Sequence, residues 1–110
     1  MRPIDLSESF SDLLKTRPVN KTARLMLHAI PDEAGTRFGI LIPKRLAKRA
    51  VDRNTLKRLA REACRAHLVN YQGQVLVRLT KPVGQIGHSQ RADWWTELHQ
   101  LLDCLSQHAP

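Results

Sequence analysis

The stretch from Lys44 to Arg65, KRLAKRAVDRNTLKRLAREACR, concentrates positive charge and constrains the fold more than any other segment. It holds nine of the chain's eighteen Lys and Arg residues but only two acids. From Asn54 onward, apolar residues recur at the period of an α-helix, and basic residues fall on the opposite face. Asp52 precedes this segment and is placed to cap the helix, its carboxylate accepting from first-turn amides. The stretch therefore predicts a helix with one buried stripe and one cationic face.

The spacing of these charges favours an anionic partner over a face that is simply solvated. Solvated helix faces commonly mix opposite charges at i,i+4 spacing, which stabilises the helix. Here Lys57, Arg61 and Arg65 are like-charged neighbours four residues apart, which destabilises an isolated helix. A polyanion would offset this repulsion, and the formal net charge of +8 also favours an anionic partner. We therefore predict that this face binds nucleic acid.

The segments before the basic helix predict one short helix and two strands. Ser7 to Lys15 favours a short helix capped by Ser7. Ala23 to Ile30 and Arg37 to Ile42 have the composition of strands. They flank a five-residue turn, which favours an antiparallel hairpin. With 110 residues, the chain is expected to form a single domain spanning residues 1–110.

The segments after the basic helix predict a third strand and a long final helix. Gln74 to Thr80 alternates as a strand, and Arg91 to Gln107 has a helical stripe that buries Trp94 and leaves Trp95 at its edge. A strand, a helix and a further strand indicate a crossover connection, which is right-handed as a general rule. The expected fold class is α+β, with the basic helix packed on a central sheet.

The sequence offers no set of residues for catalysis or metal binding by the protein itself. The ten acids are scattered, and no Gly-rich phosphate loop is present. Cys64 and His67 have the spacing of half a metal site, but no second pair accompanies them and both project to the apolar side. We therefore predict no catalytic residue and no metal ligand in this chain.

Cysteine usage and hydropathy predict a cytoplasmic protein without a membrane partner. No apolar run approaches the about 18 residues that span a bilayer. The first ten residues lack the apolar segment of a secretory signal. Cys64 and Cys104 both lie in helical patterns and are expected to remain reduced.

The run RFGILIPKRLAKRAVDRNTLKRLAREACR resembles the bacterial ribonuclease P protein component. That family has a strand ending in a basic pair, a short basic loop and an Arg-Asn-Arg signature that opens a basic helix. Arg53 and Asn54 match the first two signature positions, whereas Thr55 stands where the second arginine would be. The residues predicted to bind RNA are Lys44, Arg45, Lys48, Arg49, Arg53, Asn54, Lys57, Arg58, Arg61 and Arg65.

The resemblance also implies a fold, an activity and partners. The family is known for a left-handed crossover, which overrides the general rule for this connection. Its members are subunits of ribonuclease P, which removes 5′ leaders from precursor tRNA. The RNA subunit carries the hydrolytic chemistry with magnesium ions, so the protein alone is expected to be inactive. The expected partners are ribonuclease P RNA and precursor tRNA, with no role for DNA.

A cleft for the single-stranded leader is implied by the same resemblance. In the family, aromatic residues of the first helix and the sheet line this cleft, because unpaired bases stack on flat side chains. Phe10 matches the first of these positions, Leu14 stands where a second aromatic is usual, and His28 falls near a sheet position that is often Tyr. Alternatively, Phe10 and Leu14 simply pack the short helix onto the sheet.

Two other functions use the same basic helix differently. A structural RNA-binding protein of ribosomal type would need the cations but no leader cleft. A helix-turn-helix DNA-binding protein would need two helices joined by a short turn. The Pro-ended strand and basic loop before the helix argue against that arrangement.

Overall fold

The computed structural model describes residues 2–3, 13–33, 35–69 and 71–106, which form one mixed sheet with two helices on one of its faces. The strands are β1 (Arg2–Pro3), β2 (Asn20–Lys21), β3 (Leu25–Pro31), β4 (Thr36–Leu41) and β5 (Gly73–Leu79). The helices are α1 (Ala50–His67) and α2 (His88–Ser106). Residues 13–15 are also helical, in agreement with the end of the predicted first helix; residues 7–12 of that prediction lie outside the described residues.

The strand order, β1-β4-β5-β3-β2, shows that the predicted antiparallel hairpin is wrong. β5 lies between β3 and β4, antiparallel to the first and parallel to the second. Val75, Leu76 and Val77 are fully buried, so this strand requires cover on both faces and occupies the centre. The link from β3 to β4 therefore crosses two strand spacings, about 10 Å, which residues 32–35 are long enough to span.

The connection from β4 through α1 to β5 joins adjacent parallel strands, so the predicted crossover is confirmed. Its left-handedness stays a prediction. Leu56, Ala60 and Cys64 of α1 pack between the sheet and α2, as the helical pattern predicted. In α2, Trp94 is 2% exposed and Trp95 is 38% exposed, which confirms both predictions. The two helices are separated by β5, so the described residues contain no helix-turn-helix.

The start of α1 differs from the prediction, because Asp52 is not its N-cap. The helix begins at Ala50, and the N-cap residue Arg49 makes no side-chain capping hydrogen bond. Asp52 lies within the first turn and is buried. Its Oδ1 accepts a hydrogen bond from the backbone N–H of Ile86 at 3.0 Å, and its Oδ2 lies 3.6 Å from Nε of Arg49. The carboxylate therefore fastens the loop before α2 to the base of α1.

A second buried carboxylate, Glu97, fastens α2 to the sheet. Its Oε2 accepts hydrogen bonds from Oγ1 of Thr22 at 2.5 Å and from the backbone N–H of Arg24 at 2.9 Å. Its Oε1 accepts from Nε of Arg24 at 2.7 Å. The guanidinium of Arg24 also lies 3.5 Å from the ring centroid of Trp94. One glutamate thus satisfies three donors at the edge of the sheet.

Candidate nucleic-acid interface

The basic loop, residues 44–49, is anchored by its two apolar members. Leu46 and Ala47 are buried, and their backbone N–H groups donate to the carbonyl of Pro43 at 3.0 and 3.1 Å. The backbone N–H of Val83 donates in turn to the carbonyl of Leu46 at 2.7 Å. The four cations of the loop are exposed: Lys44, Arg45, Lys48 and Arg49. The loop is therefore held in one conformation while its charges face solvent.

Arg53, the first residue of the family signature, connects α1 to this loop. Its Nη1 donates hydrogen bonds to the carbonyls of Ala47 at 2.8 Å and Lys48 at 3.0 Å. A guanidinium has five N–H donors, so others remain for a second partner. Arg53 therefore positions the loop, and its predicted contact with RNA stays a prediction.

The outer side of α1 carries four cations that we call the basic face: Lys57, Arg58, Arg61 and Arg65. The three arginines are exposed and Lys57 is half-buried; Asn54, nearer the start of the helix, is also exposed. The salt bridges among the described residues belong to Arg24, Arg37 and Arg49, so none neutralises the basic face. Along the helix, residues four apart rise by about 6 Å. The like-charged row predicted from the sequence is therefore present, and no salt bridge among the described residues involves it.

Thr55 replaces a signature arginine, and its side chain turns back onto the helix. Its Oγ1 donates a hydrogen bond to the carbonyl of Val51 at 2.9 Å. The hydroxyl thus satisfies a backbone acceptor instead of extending a charge toward a partner. The departure from the family signature removes one cation and leaves the register of α1 unchanged.

Two of the three residues predicted to line the leader cleft, Leu14 and His28, belong to the opposite face of the sheet. Leu13 and Leu76 are fully buried there, and half-buried Leu14 packs against them. His28 pairs with Leu76 across the strands, so its side chain shares that face. Phe10 lies outside the described residues. The structure thus brings Leu14 and His28 to one face. Leu14 packs against the core there, as the alternative interpretation expected. A role of either residue in RNA binding stays a prediction.

Two arginines and a glutamine that the sequence reading missed share this face. Cross-strand register places Arg78 beside Leu41, and Gln74 beside Arg37. Arg37 pairs with Asp32 at 3.1 Å, whereas Oε1 of Gln74 is buried and has no hydrogen-bond partner among the described residues. The alternation of QVLVRLT was the signal that could have assigned Gln74 and Arg78 to a common face.

His28 itself is buried, with Nδ1 facing the Thr16 carbonyl at 3.2 Å, and its Nε2 has no hydrogen-bond partner within the described part of the chain. Burial lowers its pKa from the ordinary 6.5; the hydrogen bond to Thr16 opposes this shift and the charge of Arg78 adds to it. As the pH falls, the unfolded chain therefore binds a proton at this residue before the folded chain does. The stability that neutral His28 contributes is complete above pH 6.5 and is lost as the pH falls below that value.

We expect His28→Gln to reduce the loss of stability on acidification from about pH 8 to about pH 5.5, because the variant lacks this titration. The measurement is urea unfolding at both pH values. His88→Gln is the matched control, because His88 is exposed at the start of α2. Equal pH dependence in the wild-type protein and His28→Gln would show that the pKa of His28 does not change on folding.

Cys64 and His67 are the two residues whose spacing resembles half a metal site. Cys64 is fully buried, and burial raises the pKa of its thiol, as expected for a core residue. His67 is half-buried and its Nε2 lies 2.7 Å from Nδ1 of His99 on α2. Within residues 2–3, 13–33, 35–69 and 71–106, no group of three or more His, Cys, Asp or Glu residues could hold a metal ion.

Neither described helix is long and apolar enough to span a membrane.

The fold and the basic face define a small α+β protein whose outer helix carries four cations without a salt bridge among the described residues. The family model for ribonuclease P matches residues 3–106, and the chain belongs to this family. The resemblance carried by the basic helix and its preceding strand is therefore confirmed, together with the expected fold class.

Relatives and solved structures agree with this family. The ribonuclease P protein component of Burkholderia mallei (strain SAVP1) is 39% identical over 74 residues, covering 66% of this chain and 54% of the relative. The chain thus spans about half the length of that relative. The component of Azoarcus sp. (strain BH72) is 36% identical over 103 residues, covering 92% and 83%.

Two solved structures show the same fold. The ribonuclease P protein of Staphylococcus aureus superposes with a TM-score of 0.75 at 20% identity, covering 94% of both chains. The protein from Thermotoga maritima gives a TM-score of 0.69 at 18% identity, covering 97% of both chains.

Proposed function

We propose that this chain is the protein subunit of ribonuclease P and assists removal of 5′ leaders from precursor tRNA. The observation that carries the proposal is the basic face of α1, whose four cations form no salt bridge among the described residues. A row of unneutralised cations on a rigid helix matches the phosphates of a folded RNA. Family membership supports ribonuclease P RNA as that partner.

The proposed division of labour gives chemistry to the RNA and binding to the protein. The RNA subunit would perform hydrolysis with magnesium ions. The basic loop and the basic face would hold that RNA, while the sheet face with Leu14 and His28 would receive the single-stranded leader. Both cysteines are free, which suits a protein that acts in the reducing cytoplasm.

Reconstitution tests this function directly. The protein is combined with a bacterial ribonuclease P RNA, and cleavage of a precursor tRNA is measured at limiting magnesium. We expect faster cleavage than with the RNA alone, and no cleavage by RNA-free protein. We also expect the holoenzyme to bind precursor tRNA more tightly than mature tRNA, because only the precursor carries a leader.

The alternative, a structural RNA-binding protein of ribosomal type, is favoured by the packing of Leu14, which occupies a position expected for a base-stacking aromatic. Such a protein would bind RNA through the same basic face. It would neither accelerate cleavage nor distinguish precursor from mature tRNA. That result would contradict the assignment to ribonuclease P while retaining RNA binding.

A further inference from the structure

A cavity of about 230 Å³ lies where α1 ends. It is lined by Thr36, Cys64, Arg65, Leu68 and Val69. Cys64 and Leu68 are buried, whereas Arg65 is exposed. Val69 is 77% exposed, more than any other large hydrophobic residue that the structure describes. The lining of the cavity is therefore mixed: three apolar side chains, one of them open to solvent, lie beside a hydroxyl and one cation.

The position of the cavity relates it to the basic face. Arg65 is both the last cation of that face and a lining residue of the cavity. It forms no salt bridge among the described residues. Arg61 and Arg65 are about one helical turn apart, so the row of cations on the basic face ends at the edge of the cavity.

The size and polarity of the cavity favour a nucleobase as its occupant over a phosphate. Clefts that enclose drug-sized ligands measure about 300–1,000 Å³, so this one suits a single small ring. It lies at the C-terminal end of α1, where the helix dipole is negative and disfavours an anion. Extruded bases, by contrast, are commonly held by apolar side chains and by the flat guanidinium group of arginine.

Thr36 favours a base that presents a hydrogen-bond donor at its edge. Its Oγ1 donates a hydrogen bond to the carbonyl of Tyr71, so the hydroxyl can only accept from an occupant. The negative end of the helix likewise favours a donor. The exocyclic amine of adenine fits both features, whereas uracil lacks this amine.

We propose that this cavity receives one unpaired, amine-bearing nucleobase of the RNA bound by the basic face, with Arg65 on the adjoining phosphate. The proposal rests on the proposed function in that it requires an RNA partner. It adds to that function a recognition site distinct from the sheet face where the leader would bind. It also gives the exposed Val69 a contact, since a seated base would cover this side chain.

The test compares two RNA hairpins that differ by one unpaired adenosine in the stem. We expect the wild-type protein to bind the bulged hairpin roughly tenfold more tightly than the fully paired one, as for one stacked base. A bulged uridine should give less than half of that preference. Val69→Ser should reduce the preference several-fold and leave binding to the paired hairpin unchanged.

Two further variants separate the cavity from general effects. Val19→Ser is the matched control, because Val19 is 48% exposed and does not line the cavity, and it should retain the full preference. Cys64→Leu should abolish the preference by filling the cavity from within, and its fold is checked by thermal melting. Should it not fold, Val69→Ser still decides the matter.

The outcomes distinguish this proposal from the proposed function. Equal binding of all three hairpins by wild-type protein overturns the nucleobase site and leaves binding by the basic face intact. A preference that survives Val69→Ser and a folded Cys64→Leu also overturns it. Failure to bind any RNA contradicts the proposed function itself.

Discussion

Replacing Lys57, Arg58 and Arg61 together with Gln is expected to weaken binding of ribonuclease P RNA about 100-fold at 0.1 M salt. Each lost phosphate contact removes about 0.7 to 0.9 from the slope of log affinity against log salt concentration, so the loss of three contacts should lower the slope by about 2 to 3. Arg65 is left unchanged, because it also lines the cavity at the end of α1. The measurement is a titration of binding at several salt concentrations.

A matched variant separates local contacts from net charge. Replacing Lys21, Lys81 and Arg91 with Gln removes three exposed cations that lie outside α1 and the basic loop. Both triple variants lower the formal net charge from +8 to +5, since each loses three positive charges. We expect the control to retain most of the affinity and the slope. Equal losses in the two variants would mean that the basic face attracts RNA only through overall charge.

Glu97→Ala is expected to lower the free energy of unfolding by about 2–4 kcal/mol. The change leaves Thr22 and Arg24 without the acceptor that now satisfies three donors. Loss of one partner of a buried ion pair costs about 3–5 kcal/mol. The side chain of Arg24 is 33% exposed and can turn to water, so we expect less than the full amount. Since about 1 kcal/mol shifts Tm by about 4 °C or more in a domain of this size, the fall in Tm should exceed about 8 °C.

Two comparisons show whether the cost comes from the buried network. Glu62→Ala removes an exposed carboxylate of α1 that forms no salt bridge with another described residue, and should change Tm little. Glu97→Gln keeps the shape and one acceptor oxygen, so it should be less destabilising than Glu97→Ala. Equal Tm values for Glu62→Ala and Glu97→Ala would show that the network adds no stability.

The sequence predicted α1 well because the signal for an amphipathic helix is local. Leu56, Ala60 and Cys64 recur at helical spacing, and burial of this stripe needs only an apolar surface beneath it. The hairpin was predicted wrongly because a five-residue turn is also a local signal, whereas strand pairing is decided by distant segments. β5 is more completely buried than β4, and it occupies the central position of the sheet. The turn between β3 and β4 carries no information about this position.

In the candidate site, too, features set by local sequence could be predicted and features set by distant contacts could not. The exposure of Arg58 and Arg61 could be predicted from the sequence, because their place on the helix face depends only on the local spacing of residues. The bond from Arg53 to the loop carbonyls and the Arg24–Glu97 pair could not. The latter joins residues 73 positions apart, and only the folded chain brings them together. The cavity depends on the same assembly, because Thr36 and Leu68 belong to different elements.

The central position of β5 also determines when the protein can fold during synthesis. The ribosome completes β3 and β4 well before β5, yet these two strands have no direct pairing in the sheet. Any hairpin that they form early is non-native and must open to admit β5. Pairings between distant strands also close slowly, since chain entropy is lost before the contacts form. The nascent chain therefore carries the Lys44–Arg65 segment, with its concentrated charge, for some time before its sheet is complete.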